Sequence, residues 1–211
     1  MRCTGVILAG GDATRFDGRP KGLERVGGAR IIDRVALALA GATDSLLLIA
    51  NDPLAAGWLP GVPAEPDVRV GLGALGGIHA ALVRAETAVL LVAWDMPFVP
   101  AELLRTLRSI GEAGADVALP ASASRRGAEP LCGYYSPACI APIERALDRG
   151  ERHIVSFFEE VRVATLPLET VARFGDPARI FLNVNSPGEL ALAETHASTP
   201  DAGDRRPEAS R

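Results

Sequence analysis

The sequence predicts an α/β fold with three layers, α/β/α, built around a mostly parallel but mixed sheet. Three observations carry that prediction. Short apolar runs of strand length recur at residues 6–8, 46–50, 88–93 and 116–119, separated by stretches with helical spacing. Strands that alternate with helices bury both faces of a parallel sheet. Glycines follow the first run directly, at Gly10 and Gly11, the end of a strand at which open α/β sheets bind ligands. After Leu119 the alternation loosens, and residues 131–135 have the pattern of a strand returning to the sheet, which makes the sheet mixed.

Each element has its own justification. Gly5-Val6-Ile7-Leu8-Ala9 has the length and branched side chains of a buried strand, and Gly10-Gly11 ends it with residues free to take positive φ. Ile31, Ile32, Val35 and Leu39 form a helical stripe, and residues 46–50 form the second strand. Val68-Arg69-Val70 is short, with Pro63 and Pro66 upstream, and is poor material for a central strand. Residues 88–93 form the most apolar strand, which runs through Trp94 and ends at Asp95. Leu103, Leu104, Leu107 and Ile110 form the next stripe, and Ile140, Ile143 and Leu147 a third; between them lie strand 116–119 and an exposed loop from Ser122 to Gly127. Ser186-Pro187-Gly188-Glu189 combines an N-cap serine, a proline at the first helical position and a glutamate at the capping-box position, so a last helix starts at Pro187. From Thr195 onward the residues are polar and without apolar spacing. One domain is therefore expected over 1–194, with a disordered tail over 195–211.

At 211 residues with 48% apolar and only 5% aromatic content, the chain fits one domain with an aliphatic core. A net charge of -4 and no long basic run leave no electrostatic footprint for a nucleic acid or an anionic membrane. Cys3, Cys132 and Cys139 show no C-x-x-C spacing, which argues against a disulfide framework and a zinc site. The N-terminal apolar run is too short for a signal segment, and no apolar stretch reaches the roughly 18 residues of a membrane span. Together these features predict a cytoplasmic protein.

The opening loop carries the chemistry. A strand, a glycine-rich turn containing Gly10, Gly11 and Gly18, and two cations, Arg15 and Lys21, suit a triphosphate held by backbone N–H groups and charge-assisted contacts. It is not a P-loop, since Gly22 stands where Ser or Thr is required. Its plain alternative is a tight turn with two solvated cations. Gly71-Leu72-Gly73-Ala74-Leu75-Gly76 matches the dinucleotide fingerprint by spacing, but the weak strand before it ranks an NAD-binding module below nucleotidyl transfer. Asp95, at the ligand edge of the sheet, is a candidate for Mg²⁺, which is commonly held by one or two carboxylates with water and phosphate oxygens; capping the following helix is the alternative. His79, His153 and His196 have no metal-binding spacing, and Ser122, Ser124 and Ser136 have no hydrolase context. Arg145, Arg149 and Arg152 fit a solvated helix end; an inward turn of Arg152, which follows Gly150 and Glu151, is the alternative.

In order, several motifs resemble the bacterial molybdenum cofactor guanylyltransferases, the molybdopterin-guanine dinucleotide biosynthesis protein A family. They are Leu8-Ala9-Gly10-Gly11 with Arg15 and Lys21-Gly22-Leu23, Gly73-Ala74-Leu75-Gly76-Gly77-Ile78, Asp95-Met96-Pro97-Phe98-Val99-Pro100, Glu129-Pro130-Leu131, Gly150-Glu151-Arg152 and Asn183-Val184-Asn185-Ser186-Pro187-Gly188-Glu189-Leu190. The resemblance implies a Rossmann-like nucleotidyltransferase fold. It implies transfer of GMP from GTP to the terminal phosphate of molybdopterin, with release of pyrophosphate, Mg²⁺ as cofactor and transient contact with molybdoenzyme insertion chaperones. By position, Leu8, Ala9 and Gly10 would serve the guanine and ribose side, with Asn51 and Asp67 completing nucleotide recognition and Gly11 also at the nucleotide. Arg15, Gly18 and Lys21 would face the triphosphate, Asp95 would hold the metal, and Gly73 and Gly77 would let the chain approach the nucleotide. Arg152, Asn183 and Asn185 would lie toward the pterin phosphate. Three positions depart from the family pattern: Trp94 stands where Cys is frequent, Phe16 where Met is, and Ala74 where Pro is. Cytidylyl and sugar-phosphate nucleotidyltransferases, which share the fold, are the alternatives; Leu8-Ala9-Gly10-Gly11, where cytidylyltransferases usually show Ala-Ala-Gly, favours guanine.

Overall fold

A computed structural model describes residues 1–10, 20–124 and 127–198. In chain order its strands are β1 (Cys3–Ala9), β2 (Arg25–Val26), β3 (Ala29–Arg30), β4 (Ser45–Ala50), β5 (Ala64–Glu65), β6 (Ala88–Ala93), β7 (Val117–Pro120), β8 (Cys132–Tyr135) and β9 (Val163–Leu166). The helices are α1 (Ile31–Ala40), α2 (Gly73–Ala85), α3 (Ala101–Glu112), α4 (Ile140–Asp148), α5 (Leu168–Val171), α6 (Pro177–Ile180) and α7 (Pro187–Ser198). Seven strands form one sheet in the order β5-β4-β1-β6-β8-β7-β9, and β2 pairs with β3 in a separate hairpin. β1 runs parallel to β4 and β6, with Val6 beside Leu47 and Leu91. β8 enters antiparallel between β6 and β7, as the loosened pattern after Leu119 predicts.

Strand alternation builds the layers. Ile7, Leu48, Leu90 and Val92 face a core shared with Ile32, Val35 and Leu39 of α1 and Leu103, Leu104 and Leu107 of α3. Their neighbours Val6, Leu8, Leu47, Ile49, Val89 and Leu91 face the opposite core, with Leu75, Ile78 and Leu82 of α2 and Ile143 and Leu147 of α4. Successive side chains on a strand point to opposite faces, so one apolar run serves both layers. This is the three-layer α/β/α architecture with a mostly parallel, mixed sheet expected from the sequence.

Val68-Arg69-Val70 is a bend and turn, as its poor strand pattern suggests, so the glycines that follow do not close a strand as a dinucleotide fingerprint requires. Other elements differ from expectation. Helix α7 begins at Pro187 as predicted but continues to Ser198, four residues into the expected tail, whose remainder lies outside the described residues. The edge strands β5 and β9 and the hairpin were not predicted. β5 has two residues, and β9 is partly exposed with a single buried residue, Leu166, so neither carries an apolar run. No helix among the described residues is long and apolar enough to cross a membrane.

Candidate active site

The C-terminal ends of β1, β4 and β6 open onto one cavity of about 740 Å³. Parallel strands present their ends to the same side of the sheet, and the chain leaves each of them through a loop that lines the crevice. Leu8, Ala9 and Gly10 come from the end of β1, Asn51 from just past β4, and Asp95 from just past β6; Gly73, Ala74 and Gly77 come from the head of α2. Gly10 is exposed, and a Cβ there would meet nothing within 4 Å, so its backbone is open to the cavity.

The charged centre is Lys21 with Asp95. The Lys21 ammonium donates to Asp95 Oδ2 at 2.5 Å and to Asn185 Oδ1 at 2.6 Å. Both charged side chains are largely buried, at 14% and 10% exposure, which keeps the pair from being a solvated surface bridge. Asp95 Oδ1 is buried and has no hydrogen-bond partner among the described residues. Helix α3 starts behind Pro100 without a side-chain cap, so Asp95 is not that helix's cap. Lys21 reaches the cavity from a short 3-10 turn, residues 21–23, whose Gly22 packs on the Trp94 ring so closely that a Cβ would collide with it. Trp94 in turn stacks on Trp58, with ring centroids 5.1 Å apart and planes 19° from parallel. The bulky residue in the position where Cys is frequent thus forms part of the cavity wall and the floor beneath the lysine turn.

The opposite wall is polar and fixed. Asn51 Nδ2 donates to Asp67 Oδ2 at 2.8 Å, and the Asp67 backbone N–H donates back to Asn51 Oδ1 at 2.9 Å. These two residues, sixteen apart in sequence, form one reciprocal unit on the cavity. The chain enters α2 through Gly71 at φ +79° and Gly73 at φ +66°, conformations that L side chains rarely adopt. No side chain caps α2 at Leu72, so its first N–H groups face the crevice where electronegative ligand atoms gain from them. Gly77 also lines the cavity, and a Cβ there would lie 2.5 Å from Leu8 Cδ1. Its missing side chain lets α2 sit against the end of β1.

Of the residues expected at the site, Leu8, Ala9, Gly10, Lys21, Asn51, Asp67, Gly73, Gly77, Asp95, Asn183 and Asn185 line this one cavity. Gly11, Arg15 and Gly18 lie outside the described residues. Arg152 is exposed and does not line the cavity. Its neighbours Arg145 and Arg149 pair with Glu160 and Glu151 on the surface. Glu129, Leu131, Val70 and Trp94 line the cavity although sequence reasoning assigned them no role there. Glu129 and Leu131 belong to a motif that carried the resemblance, and this was the signal available for them. His79 is buried, 3.2 Å from Glu144, and does not line the cavity. The three thiols are buried, and burial raises Cys3 to about 11 and Cys139 to about 12, so they stay protonated near neutral pH.

Comparison with known proteins agrees with this geometry. The model of the MobA-like NTP transferase domain matches residues 5–163. A molybdenum cofactor guanylyltransferase of Desulfosudis oleivorans is 36% identical over 194 residues, covering 90% of this chain and 94% of that protein. A probable molybdenum cofactor guanylyltransferase of Pelotomaculum thermopropionicum is 37% identical over 204 residues, covering 96% and 97%. Among solved structures, molybdopterin-guanine dinucleotide biosynthesis protein A of Archaeoglobus fulgidus superposes with a TM-score of 0.77 at 30% identity, covering 92% of this chain and 98% of that one.

Proposed function

The chain belongs to the MobA-like NTP transferase family and is a nucleotidyltransferase, and from that premise we propose that it transfers GMP from GTP to the terminal phosphate of molybdopterin. The observation that carries this reading is the Lys21–Asp95–Asn185 cluster inside the cavity at the sheet's ligand edge. Relatives that cover nearly the whole chain and bear the guanylyltransferase name support the choice of reaction. The reciprocal pair of Asn51 and Asp67 supports the choice of base, because a fixed carboxylate accepts from the donor edge of guanine.

In this reading a phosphate oxygen of molybdopterin attacks the α-phosphorus of GTP. The new P–O bond forms as the bond from the α-phosphorus to the bridging oxygen breaks, and pyrophosphate leaves with that electron pair. A phosphate monoester is largely ionised near neutral pH, so the attack needs no strong general base. What the chain contributes is position and charge. Two of the three Lys21 donors are spent on Asp95 and Asn185, which aims the third at the phosphates. The uncapped head of α2 offers backbone donors to nucleotide oxygens. Gly10 leaves room for the nucleotide beside β1.

Asp95 fits a magnesium ligand, because its buried Oδ1 lacks a partner and Mg²⁺ is typically held by one or two carboxylates with phosphate oxygens and water. No cluster of three acidic, His or Cys side chains exists among the described residues, so the remaining ligands would be substrate oxygens and water. When bound, the ion would neutralise charge on the triphosphate.

The decisive measurement is pyrophosphate release from GTP and Mg²⁺ with and without molybdopterin, repeated with CTP, ATP and UTP. Release that needs both GTP and molybdopterin is the expected outcome. Preference for CTP would assign the chain to cytidylyl transfer, and Asp95→Ala with full Mg²⁺-dependent turnover would remove the metal assignment.

A further inference from the structure

Lys21 is the only lysine among the 22 Lys and Arg residues of this chain. Its ammonium sits at the end of four flexible methylenes, and a lysine held by one partner alone keeps much of its rotamer freedom. Two acceptors on different segments remove that freedom. One is Asp95, just past β6; the other is Asn185, on the irregular segment between α6 and α7. Asn185 must present its amide oxygen, since an ammonium only donates. What holds Asn185 in that orientation is therefore part of what aims the lysine.

Two hydrogen bonds fix this segment. The Val184 N–H donates to the Asp95 backbone carbonyl at 2.9 Å, and the Asn185 N–H donates to Glu189 Oε2 at 2.8 Å. Glu189 is the capping-box glutamate of α7. Its own N–H donates to Ser186 Oγ at 3.3 Å, and Ser186 Oγ donates to Glu189 Oε2 at 2.9 Å. In an ordinary capping box the glutamate reaches the N–H of the N-cap residue itself. Here the carboxylate reaches one residue further back, to the N–H of Asn185. The head of α7 is thereby coupled to the site.

We propose that Glu189 is a positioning residue for Lys21: its carboxylate orients Asn185, and Asn185 fixes the ammonium opposite Asp95. The consequence for GMP transfer rests on the function proposed above, whereas the coupling itself can be read in the protein without nucleotide. Helix α7 supplies its own control, because Glu194, further along it, accepts from the Gly27 N–H at 3.1 Å and has no link to Lys21.

The test labels lysine with ¹⁵N at the ζ position in the full chain, where a single lysine means a single side-chain signal. In the wild type, and in Glu189→Gln, whose amide oxygen can accept the same bonds, the ζ protons should exchange slowly. Glu189→Ala should speed that exchange on the order of tenfold, the equivalent of one net hydrogen bond. Asn185→Ala should do the same, the double variant should be no worse than either single one, and Glu194→Ala should match the wild type. Should Glu189→Ala unfold, Glu189→Asp keeps the charge at the helix head but is one methylene too short, and it should show the same acceleration.

Equal exchange in wild type and Glu189→Ala, equal acceleration in Glu189→Ala and Glu194→Ala, or additive effects of Glu189→Ala and Asn185→Ala would each overturn the proposal. Pyrophosphate assays on the same variants separate it from the function. Slowed turnover in Glu189→Ala with rescue in Glu189→Gln supports both readings. Absence of GMP transfer in the wild type, with the exchange pattern as expected, refutes the function and leaves the positioning role standing.

Discussion

Lys21 shows how little space one charged side chain has at this site. Its ammonium lies between Asp95 Oδ2 and Asn185 Oδ1, above a turn pressed on the Trp94 ring. A planar guanidinium is wider than an ammonium and offers its donors in a rigid fork, so Lys21→Arg should not restore what Lys21→Ala loses. Both are expected to lower pyrophosphate release on the order of 10²-fold, the scale of losing one preorganised donor. Recovery of near wild-type turnover by the arginine variant would mean that charge alone matters. Gly22 makes the packing side of the same point. Its Cβ would run into the Trp94 ring, so Gly22→Ala should cost about 1–3 kcal/mol by overpacking, read as a lower urea midpoint. Adding Trp94→Cys should relieve the collision, whereas an unchanged deficit in the double variant would place the cost elsewhere. Lys21 and Asp95 were legible in the sequence because charge stands at a strand end or in a glycine-rich turn, whereas Asn51 came only from the resemblance to a known family. The partnership of Lys21 with Asn185 was not, because 164 residues separate them and no local pattern joins them.

Among the elements, the central strands declared themselves. β1, β4 and β6 are buried on both faces, so each is a continuous apolar run, and helices α1, α3 and α4 carry single stripes. β9 did not, because it is a partly exposed edge strand that β7 holds in register. A polar clamp fixes that edge. Asp116, just before β7, accepts from the Arg162 backbone N–H at 3.0 Å and from its guanidinium at 2.9 and 3.0 Å. The guanidinium holds the Asp116 carboxyl below its usual range. A carboxylate with a depressed folded value contributes stability above its unfolded value of about 3.9 and loses it as pH falls through the folded one. Asp116→Asn should therefore cost about 1–3 kcal/mol at neutral pH, and the gap to wild type should close in urea titrations below about pH 4. A gap that persists at low pH would point to packing rather than charge.

At the scale of the whole molecule, the two cores on either side of the sheet enclose all three cysteines. Burial raises Cys3 to about 11 and Cys139 to about 12, and it pushes Cys132 up further still. A group with a raised folded value contributes stability that is complete below its unfolded value and fades as pH rises toward the folded one. The urea midpoint should thus hold near neutral pH and fall between about 9 and 11, as thiols of the unfolded chain ionise and those of the folded chain do not. The native protein should show almost no thiol reactive to an aromatic disulfide reagent, and three after unfolding. Ready modification of the native thiols would show that these cores open far more easily than their burial implies.

The sequence by itself determined the layers, the parallel centre, the start of α7 and the opening-loop and Asp95 positions on the cavity, while the other expected cavity residues came from the resemblance. Apolar periodicity, glycine at strand ends and capping chemistry are local properties, written within a few residues of the place where they act. The tertiary structure alone decided that Asn185 meets Lys21, that Glu189 secures Asn185, that Trp94 on Trp58 bears the lysine turn, and that Arg152 stays away from the cavity. Those contacts are made by elements far apart in the chain. Packing the strands side by side and folding α7 against the β2–β3 hairpin brings them together, and no local pattern records distance through space.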